Sequence, residues 1–217
     1  MSTATLILGE SGSGKTTALR NFNGDDVFLV QADAKPLPFR SPNWKPWVCD
    51  NADSIITALR SPKLMKDIIV IDDFQYIMAN EFMRRSMESG FQKFTDIAKH
   101  AWEILNTASA LAPQKRVYIL SHVDTDETGK VRAKTIGKLL NEKITIEGLL
   151  TIVMRAQVIN GQHVFSTKNS GSDTVKTPME MFADEHIPND LKAVDDAICA
   201  YMPHLHKPSE PTALKAA

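Results

Sequence analysis

The chain has 217 residues, of which 43% are hydrophobic and 24% are charged, and its formal net charge is −1. These values are typical of a single soluble globular domain, and they exclude a polycation, so any contact with nucleic acid has to come from a local basic segment. Cys49 and Cys199 lack paired spacing, which predicts reduced thiols. The start of the chain fits neither a signal peptide nor a membrane span, so we expect a cytoplasmic protein.

The first half of the chain predicts strands that alternate with helices. Residues 3–8 form a short apolar strand that runs into a glycine-rich loop, and residues 15–22 predict a helix that ends before Gly24. Residues 26–31 predict a second strand, which a proline-rich loop follows. Residues 53–60 predict a short helix, and the run DIIVI predicts a strand buried on both faces.

The second half begins with an apolar stripe whose steps of four and three residues predict a long helix. The stripe consists of Met87, Phe91, Phe94, Ala98, Ala101, Leu105 and Ala108, and Ser89-Gly90 is a candidate interruption near its start. Residues 116–121 predict another buried strand, and residues 124–142 predict a mobile charged loop with one or two helical turns. Asn160-Gly161 predicts the turn of a hairpin, and Asn189 with Asp190 can cap a last helix.

This order of elements predicts an α/β fold with a mostly parallel central sheet and helices on both faces. The hairpin around Asn160-Gly161 adds antiparallel strands at one edge of the sheet. We expect residues 1–202 to form one domain and residues 203–217, rich in proline and alanine, to be a disordered tail.

The sequence GESGSGKTT contains the spacing of a phosphate-binding loop, Gly9-x4-Gly14-Lys15-Thr16, between a strand and a helix. Its glycines allow backbone N–H groups to converge on an anion, and the helix N-terminus adds a positive dipole end. Lys15 is expected to reach the β and γ phosphates, and Thr16 to bind Mg²⁺. The predicted nucleotide-binding residues are Gly9, Glu10, Ser11, Gly12, Ser13, Gly14, Lys15, Thr16 and Thr17.

Polar residues at the ends of other strands predict the rest of a hydrolytic site. Asp72 ends the run IIVID, at the edge where open α/β sheets bind ligands, and is the candidate for the magnesium side. Hydrolysis of ATP needs a group that orients or deprotonates water, and Asp73 and Asp33 compete for this role. His122, which follows Ser121 at the end of the fourth strand, is either a sensor of the γ-phosphate or an ordinary strand-end residue.

With these residues located, the chain resembles the RecA-like P-loop ATPases of bacteriophages, in the AAA-type family that includes phage single-strand annealing proteins. The similarity covers most of residues 3–202. Its motifs are GESGSGKTT, IIVIDDFQYIMANEFMRR, KFTDIAKHAWEI, TIGKLLNEKITIEGL, KNSGSDTVKTPMEMF and IPNDL. The first two are shared by many P-loop proteins, and the later ones are more specific.

The resemblance implies a RecA-like P-loop NTPase core, with ATP and Mg²⁺ at the interfaces of a homo-oligomeric ring or filament. It implies a role in phage DNA recombination, annealing or replication. The family pattern assigns the water-activating acid to Asp33, and it makes Lys168, and more weakly Lys176, contacts to the ATP of a neighbouring subunit. Arg155 is another candidate for this contact. The further domains of RecA are missing, which favours simple annealing over strand exchange.

A basic segment after the fourth strand is the candidate contact to single-stranded DNA, at the place where RecA-like folds carry DNA-binding loops. It contains Lys130, Arg132, Lys134 and Lys138. Cations at this density are able to follow a phosphate backbone, with an affinity that depends on salt. The acidic residues Asp124, Asp126 and Glu127 lie beside them, so an ordinary solvated loop is the alternative. A single-strand binding protein is a further candidate partner, through the tail.

Two other functions remain open at this point. A P-loop kinase of small molecules or nucleotides would transfer the γ-phosphate instead of releasing it. Such kinases usually carry an arginine-rich lid, whereas residues 124–142 contain only Arg132. The third possibility is a nucleotide-dependent switch or loader, in which hydrolysis is slow and binding of a partner is the function.

Overall fold

The computed structural model describes residues 1–203. This part of the chain contains ten strands and four α-helices. The strands are β1 (Thr3–Gly9), β2 (Val27–Gln31), β3 (Trp47–Val48), β4 (Ile68–Asp72), β5 (Arg116–Ser121), β6 (Val123–Thr125), β7 (Val131–Ala133), β8 (Ile152–Ile159), β9 (Gln162–Ser166) and β10 (His186–Pro188). The helices are α1 (Ala52–Arg60), α2 (Phe74–Arg84), α3 (Gln92–Ala110) and α4 (Leu191–Tyr201).

Eight strands form one sheet in the order β10-β9-β8-β1-β5-β4-β2-β3. Every pair from β8 to β3 is parallel, whereas β8, β9 and β10 pair antiparallel. Asn160 and Gly161, both with positive φ, make the tight turn between β8 and β9. The mostly parallel sheet with an antiparallel hairpin at one edge is therefore confirmed.

The central strands are buried on both faces, as their continuous apolar runs predict. Leu6, Ile71 and Ile119 contact α1, α2 and α3 on one face. Ile7 and Val70 point to the other face, where α4 and a short 3₁₀ helix (Thr16–Asn21) pack. Helices thus cover both faces of the sheet. No helix among residues 1–203 is long and apolar enough to cross a membrane.

The predicted helix after the glycine loop is present as the six-residue 3₁₀ helix Thr16–Asn21, within one residue at each end of residues 15–22. Two local predictions are wrong. The long helix starts at Gln92, because Gly90, with a φ of 86°, turns the chain, and Met87 and Phe91 are exposed before it. Residues 124–142 contain the strand pair β6–β7 in place of a loop, whereas the π-helical segment Leu139–Ile144 agrees with the helical turns predicted there. The tail from residue 204 lies outside the described residues, so its predicted disorder stays a prediction.

A buried ionic cluster fixes α4 to the sheet. Asp195 accepts hydrogen bonds from Arg116 Nε and from the Tyr118 hydroxyl, both at 2.5 Å, and is 3% exposed.

Replacing Asp195 with alanine is expected to lower the free energy of unfolding by about 3 kcal/mol, because a buried guanidinium and hydroxyl lose their acceptor. Urea unfolding measures this change. Asp196→Ala, which removes only an exposed pair with Lys192, is the control and should cost less than about 1 kcal/mol; equal losses would contradict the expectation.

Candidate functional site

The glycine loop leaves β1 at the carboxyl edge of the sheet, and its shape depends on glycine. Gly12 and Gly14 have φ values of 78° and 93°, which side chains other than glycine rarely adopt. A Cβ atom on Gly9 would lie 2.7 Å from the carbonyl oxygen of Ala156. The loop therefore needs glycine both for its turn and for the close approach to β8, and the first N–H groups of the helix that follows have no partner within that helix.

Lys15 lies buried over this loop. Its ammonium donates to the carbonyl oxygens of Gly9 and Glu10, both at 2.8 Å, and the residue is 6% exposed. Burial lowers the pKa of Lys15 to about 8, against the opposing attraction of Asp73 and Asp72. The two carbonyl groups are neutral acceptors, so an anion in the loop would be a stronger partner for the ammonium.

Thr16 and Asp72 meet although 56 residues separate them. The Thr16 hydroxyl lies 3.0 Å from Oδ2 and 3.2 Å from Oδ1 of Asp72, and the backbone N–H of Asp73 donates to Oδ1 at 3.0 Å. Asp72 is 2% exposed. Burial, followed by the charge of Asp73, raises the pKa of Asp72 to about 6. The charge of Lys15 opposes this rise but does not cancel it.

The Thr16–Asp72 pair fits Mg²⁺. This ion keeps several waters and takes one or two protein oxygens together with phosphate oxygens, so it does not require a cage of protein ligands. Among residues 1–203, no group of three or more His, Cys, Asp or Glu side chains is placed to hold a metal. The hydroxyl and the buried carboxylate would be the protein side of the magnesium shell.

The strand order brings a second set of polar groups to this edge. Because β5 lies between β1 and β4, the residues that follow β5 lie between the glycine loop and Asp72. Among the described residues, the buried Ser121 hydroxyl has no hydrogen-bond partner. His122 Nε2 is 3.4 Å from Asp73 Oδ1, and its ring stands edge-on to Tyr76, 5.9 Å between centroids. The predicted residue His122 thus belongs to the site.

Asp33 and Asp73, the two candidate bases, converge on one lysine. Lys35 Nζ is 3.0 Å from Asp33 Oδ2 and 3.1 Å from Asp73 Oδ2. Burial by itself raises the pKa of Asp73, but hydrogen bonds from His122 and Lys35 outweigh it and leave this pKa lowered. Sequence reasoning missed Lys35; its only signal was a cation two residues after Asp33 and directly before Pro36. The site therefore contains both carboxylates.

Two further residues, His163 and Asn189, pack against the glycine loop, and the sequence did not predict either contact. His163 Nδ1 lies 3.1 Å from the carbonyl oxygen of Ser13, and a Cβ atom on Gly14 would lie 3.0 Å from the same nitrogen. Asn189 is 3% exposed, and among the described residues its amide group has no hydrogen-bond partner. The hairpin β8–β9 and the start of α4 thus pack directly against the loop. Only the fold brings these segments together.

The predicted contacts to a neighbouring subunit lie around the hairpin β8–β9, where Arg155 pairs with Ser166 and Lys176 pairs with Val153. Arg155 lines a cleft of about 340 Å³ beside Glu10 and Ser11 of its own glycine loop. Lys168 is exposed and donates to the carbonyl oxygen of Ala183 at 2.6 Å. The backbone of Lys176 pairs with Val153. Contact of any of them with a second subunit stays a prediction.

The basic segment forms a hairpin that starts at the site. The backbone N–H of Lys134 donates to the carbonyl oxygen of His122 at 2.9 Å, which closes the base of β6–β7. Lys130, Lys134 and Lys138 are exposed, and Lys138, which lies beyond the hairpin, stands 3.8 Å from Glu142. Arg132 pairs with Asp126. Contact of these residues with DNA stays a prediction.

Comparison with known proteins identifies no relative. No protein-family model matches the chain, and no curated protein matches it. Conclusions about function therefore depend on the chemistry of the site itself.

Proposed function

We propose that this protein is a RecA-like P-loop ATPase that binds ATP with Mg²⁺ and hydrolyses it. The observation that carries the proposal is the contact of Thr16 with the buried Asp72, at 3.0 and 3.2 Å, beside the buried ammonium of Lys15. A hydroxyl, a strand-end carboxylate and a lysine around a glycine loop are the protein groups that nucleotide hydrolysis of this type uses.

Each group has a role in this proposal. The N–H groups of residues 9–17 bind the phosphates, and Lys15 neutralises the β and γ oxygens. Thr16 and Asp72 hold Mg²⁺, which when bound withdraws charge from the phosphoryl group. Asp73 or Asp33 accepts the proton of the attacking water, and His122 orients Asp73.

The strand order supports a RecA-like core over a kinase. With β5 between β1 and β4, Ser121 and His122 face the space beside Asp72 where a terminal phosphate would lie. A kinase lid is not supported, because Arg132, the single arginine of residues 124–142, pairs with Asp126 within its own hairpin. Phosphoryl transfer to a small molecule is therefore the less favoured activity.

The proposed partner is single-stranded DNA, and the proposed context is phage recombination, annealing or replication in the host cytoplasm. The support is positional: the backbone N–H of Lys134 donates to the carbonyl oxygen of His122, so one of the exposed lysines is tied to the site by a backbone hydrogen bond. A homo-oligomer, ring or filament, with Arg155 or Lys168 reaching a neighbouring ATP, belongs to the same proposal. A single-strand binding protein remains a further proposed partner.

Phosphate release from ATP is the test of this function. We expect release that requires Mg²⁺ and that rises when single-stranded DNA is added. Phosphoryl transfer to a nucleoside without release would favour the kinase. Tight nucleotide binding with negligible turnover, with or without DNA, would favour the switch.

The DNA contact has its own prediction. Replacing Lys130, Lys134 and Lys138 together with alanine should weaken binding to single-stranded oligonucleotides about tenfold or more. It should also reduce the slope of log affinity against log salt by about 2, because a protein that makes fewer phosphate contacts displaces fewer counterions from the nucleic acid when it binds. Fluorescence anisotropy at several salt concentrations measures both. Alanine at Lys45, Lys63 and Lys99, which are exposed elsewhere, removes the same charge and should change little; equal losses for both triple variants would indicate a non-specific effect of charge.

A further inference from the structure

Lys35 holds an unusual position in the site. Its ammonium lies between the two candidate bases, 3.0 Å from Asp33 Oδ2 and 3.1 Å from Asp73 Oδ2. It also stands 4.6 Å from the centre of the Tyr76 ring, whose face attracts a cation. One lysine thus binds both groups that are candidates to activate water.

In this arrangement both carboxylate oxygens of Asp73 already have partners. Asp73 Oδ2 contacts Lys35, and Asp73 Oδ1 contacts His122. Asp73 itself is in the left-handed region, with φ 57° and ψ 38°, which fixes the direction of its side chain at the start of α2. Each contact lowers the basicity of the carboxylate, so Asp73 becomes a better acceptor for a proton of water when one partner leaves.

Of the two partners, Lys35 is the one that is free to move. Its side chain is 49% exposed and ends a flexible four-carbon stem. Its backbone is restrained on both sides. The side-chain amide of Gln31 donates to the Lys35 carbonyl oxygen at 3.4 Å, and Pro36, whose φ is fixed by its ring, follows directly. The ammonium is therefore able to change partners while the backbone stays at the site.

A triphosphate in the glycine loop supplies the competing partner. Lys35 contacts Asp73 at 3.1 Å, and the neighbouring Asp72 contacts Thr16 of the glycine loop at 3.0 Å, so the ammonium lies close to charge that enters the loop. A bound triphosphate brings more negative charge than Asp33 and Asp73 together, and its terminal oxygens gain further charge in the transition state.

We propose that Lys35 is a catalytic cation that leaves Asp73 for the terminal phosphate when a triphosphate enters the loop. This inference rests on the proposed ATPase function. The transfer frees Asp73 Oδ2 while His122 keeps Oδ1 in place. Asp33 has no second contact of this kind among the described residues, so Asp73 is the better-oriented base.

The resulting step is balanced. The oxygen of the attacking water forms a bond to the γ-phosphorus, and its proton passes to Asp73 Oδ2. The bond from the γ-phosphorus to the bridging oxygen breaks, and its electron pair stays on ADP. Lys35 neutralises the charge on the phosphoryl oxygens and exchanges no proton.

The movement can be observed without turnover. Protein labelled with ¹³C at lysine Cε is titrated with inorganic triphosphate and Mg²⁺, and the signals of Lys15 and Lys35 are assigned with Lys15→Met and Lys35→Met. We expect both signals to shift, and the Lys35 signal of Asp73→Asn to shift without ligand. A shift of Lys15 alone overturns the role of Lys35 and leaves the phosphate site standing. If neither signal shifts, phosphate does not enter the loop, and both proposals fail.

Kinetics give the second test. Lys35→Met should lower kcat for phosphate release about tenfold to a hundredfold and leave KM within about threefold, because the charge acts in the transition state. Lys35→Arg should recover part of the rate. Lys45→Met, an exposed lysine of the same loop, is the control. A higher kcat in Lys35→Met would mean that Lys35 only blocks Asp73, which overturns the proposal.

Discussion

Lys15→Met is expected to lower the rate of Mg²⁺-dependent phosphate release from ATP by about 100-fold to 1,000-fold. Lys15 carries the only ammonium that is buried against the carbonyl oxygens of the glycine loop in the described part of the chain, at 2.8 Å from Gly9 and Glu10. Loss of one preorganised donor to developing charge typically costs this much in rate. Methionine matches the length of the side chain, so packing is largely retained.

Loss of folding is not expected to explain this effect. The pKa of Lys15 is lowered to about 8, so the folded protein releases this proton more readily than the unfolded chain does. The charge therefore reduces stability at pH 7, and this cost is relieved as the pH rises through 8 toward the unfolded value. Removing the charge offsets the loss of the two hydrogen bonds, and the midpoint of thermal unfolding at pH 7 should change little.

The control for Lys15→Met is Lys45→Met, which removes an exposed ammonium and should retain full activity. Binding of inorganic triphosphate, measured by calorimetry, separates loss of affinity from loss of rate. A Lys15→Met protein that keeps more than about a third of the wild-type turnover would rule out a phosphate role for this lysine. It would remove the basis of the proposed function as well.

The predicted site residues that the structure brings together are those whose positions follow from short covalent spacing. Lys15 and Thr16 follow the glycines directly, and Asp72 ends an apolar run of strand length. A strand that leads into such a loop and a second strand that ends in a carboxylate meet at one edge in any parallel sheet. The contact between Thr16 and Asp72 was therefore within reach of sequence reasoning.

Lys35 was not within reach, because its contacts depend on which strands are neighbours. β2 pairs with β4 so that Gln31 lies beside Asp72, and this register carries the loop after β2 onto Asp73. The sequence contains no signal for this pairing over 38 residues. His163 and Asn189 reach the glycine loop through a hairpin and a turn that follow it by about 150 residues or more in sequence.

The wrong predictions have local causes. The acidic and basic residues of 124–142 hide the short alternation Val131-Arg132-Ala133, in which the two apolar residues are buried. The stripe that begins at Met87 continues in register across Gly90, so periodicity alone could not reveal that the chain turns there. In both segments tertiary packing, with local turn chemistry, overrides the pattern.

Asp72→Asn is expected to make the free protein more stable at pH 7.5 while it removes Mg²⁺-dependent hydrolysis. Burial raises the pKa of Asp72 to about 6 from its usual 3.8. The folded state therefore binds this proton more tightly than the unfolded chain, and the wild type loses stability as the pH rises through 6. Above that pH, a shift of roughly 2 pKa units corresponds to about 3 kcal/mol, which the neutral asparagine avoids.

Urea unfolding at pH 7.5 and at pH 5 measures this difference, with Asp184→Asn as an exposed control. The advantage of Asp72→Asn should be about 2 to 3 kcal/mol at pH 7.5 and should shrink as the wild type takes up its proton. Phosphate release should fall about 100-fold or more, because the carboxylate on the magnesium side is lost. A variant that is less stable than the wild type at pH 7.5, or an advantage that does not depend on pH, would mean that Asp72 is a structural carboxylate. Higher stability together with lost activity is the result expected when a buried charge lowers the stability of the free protein but is needed to bind a ligand.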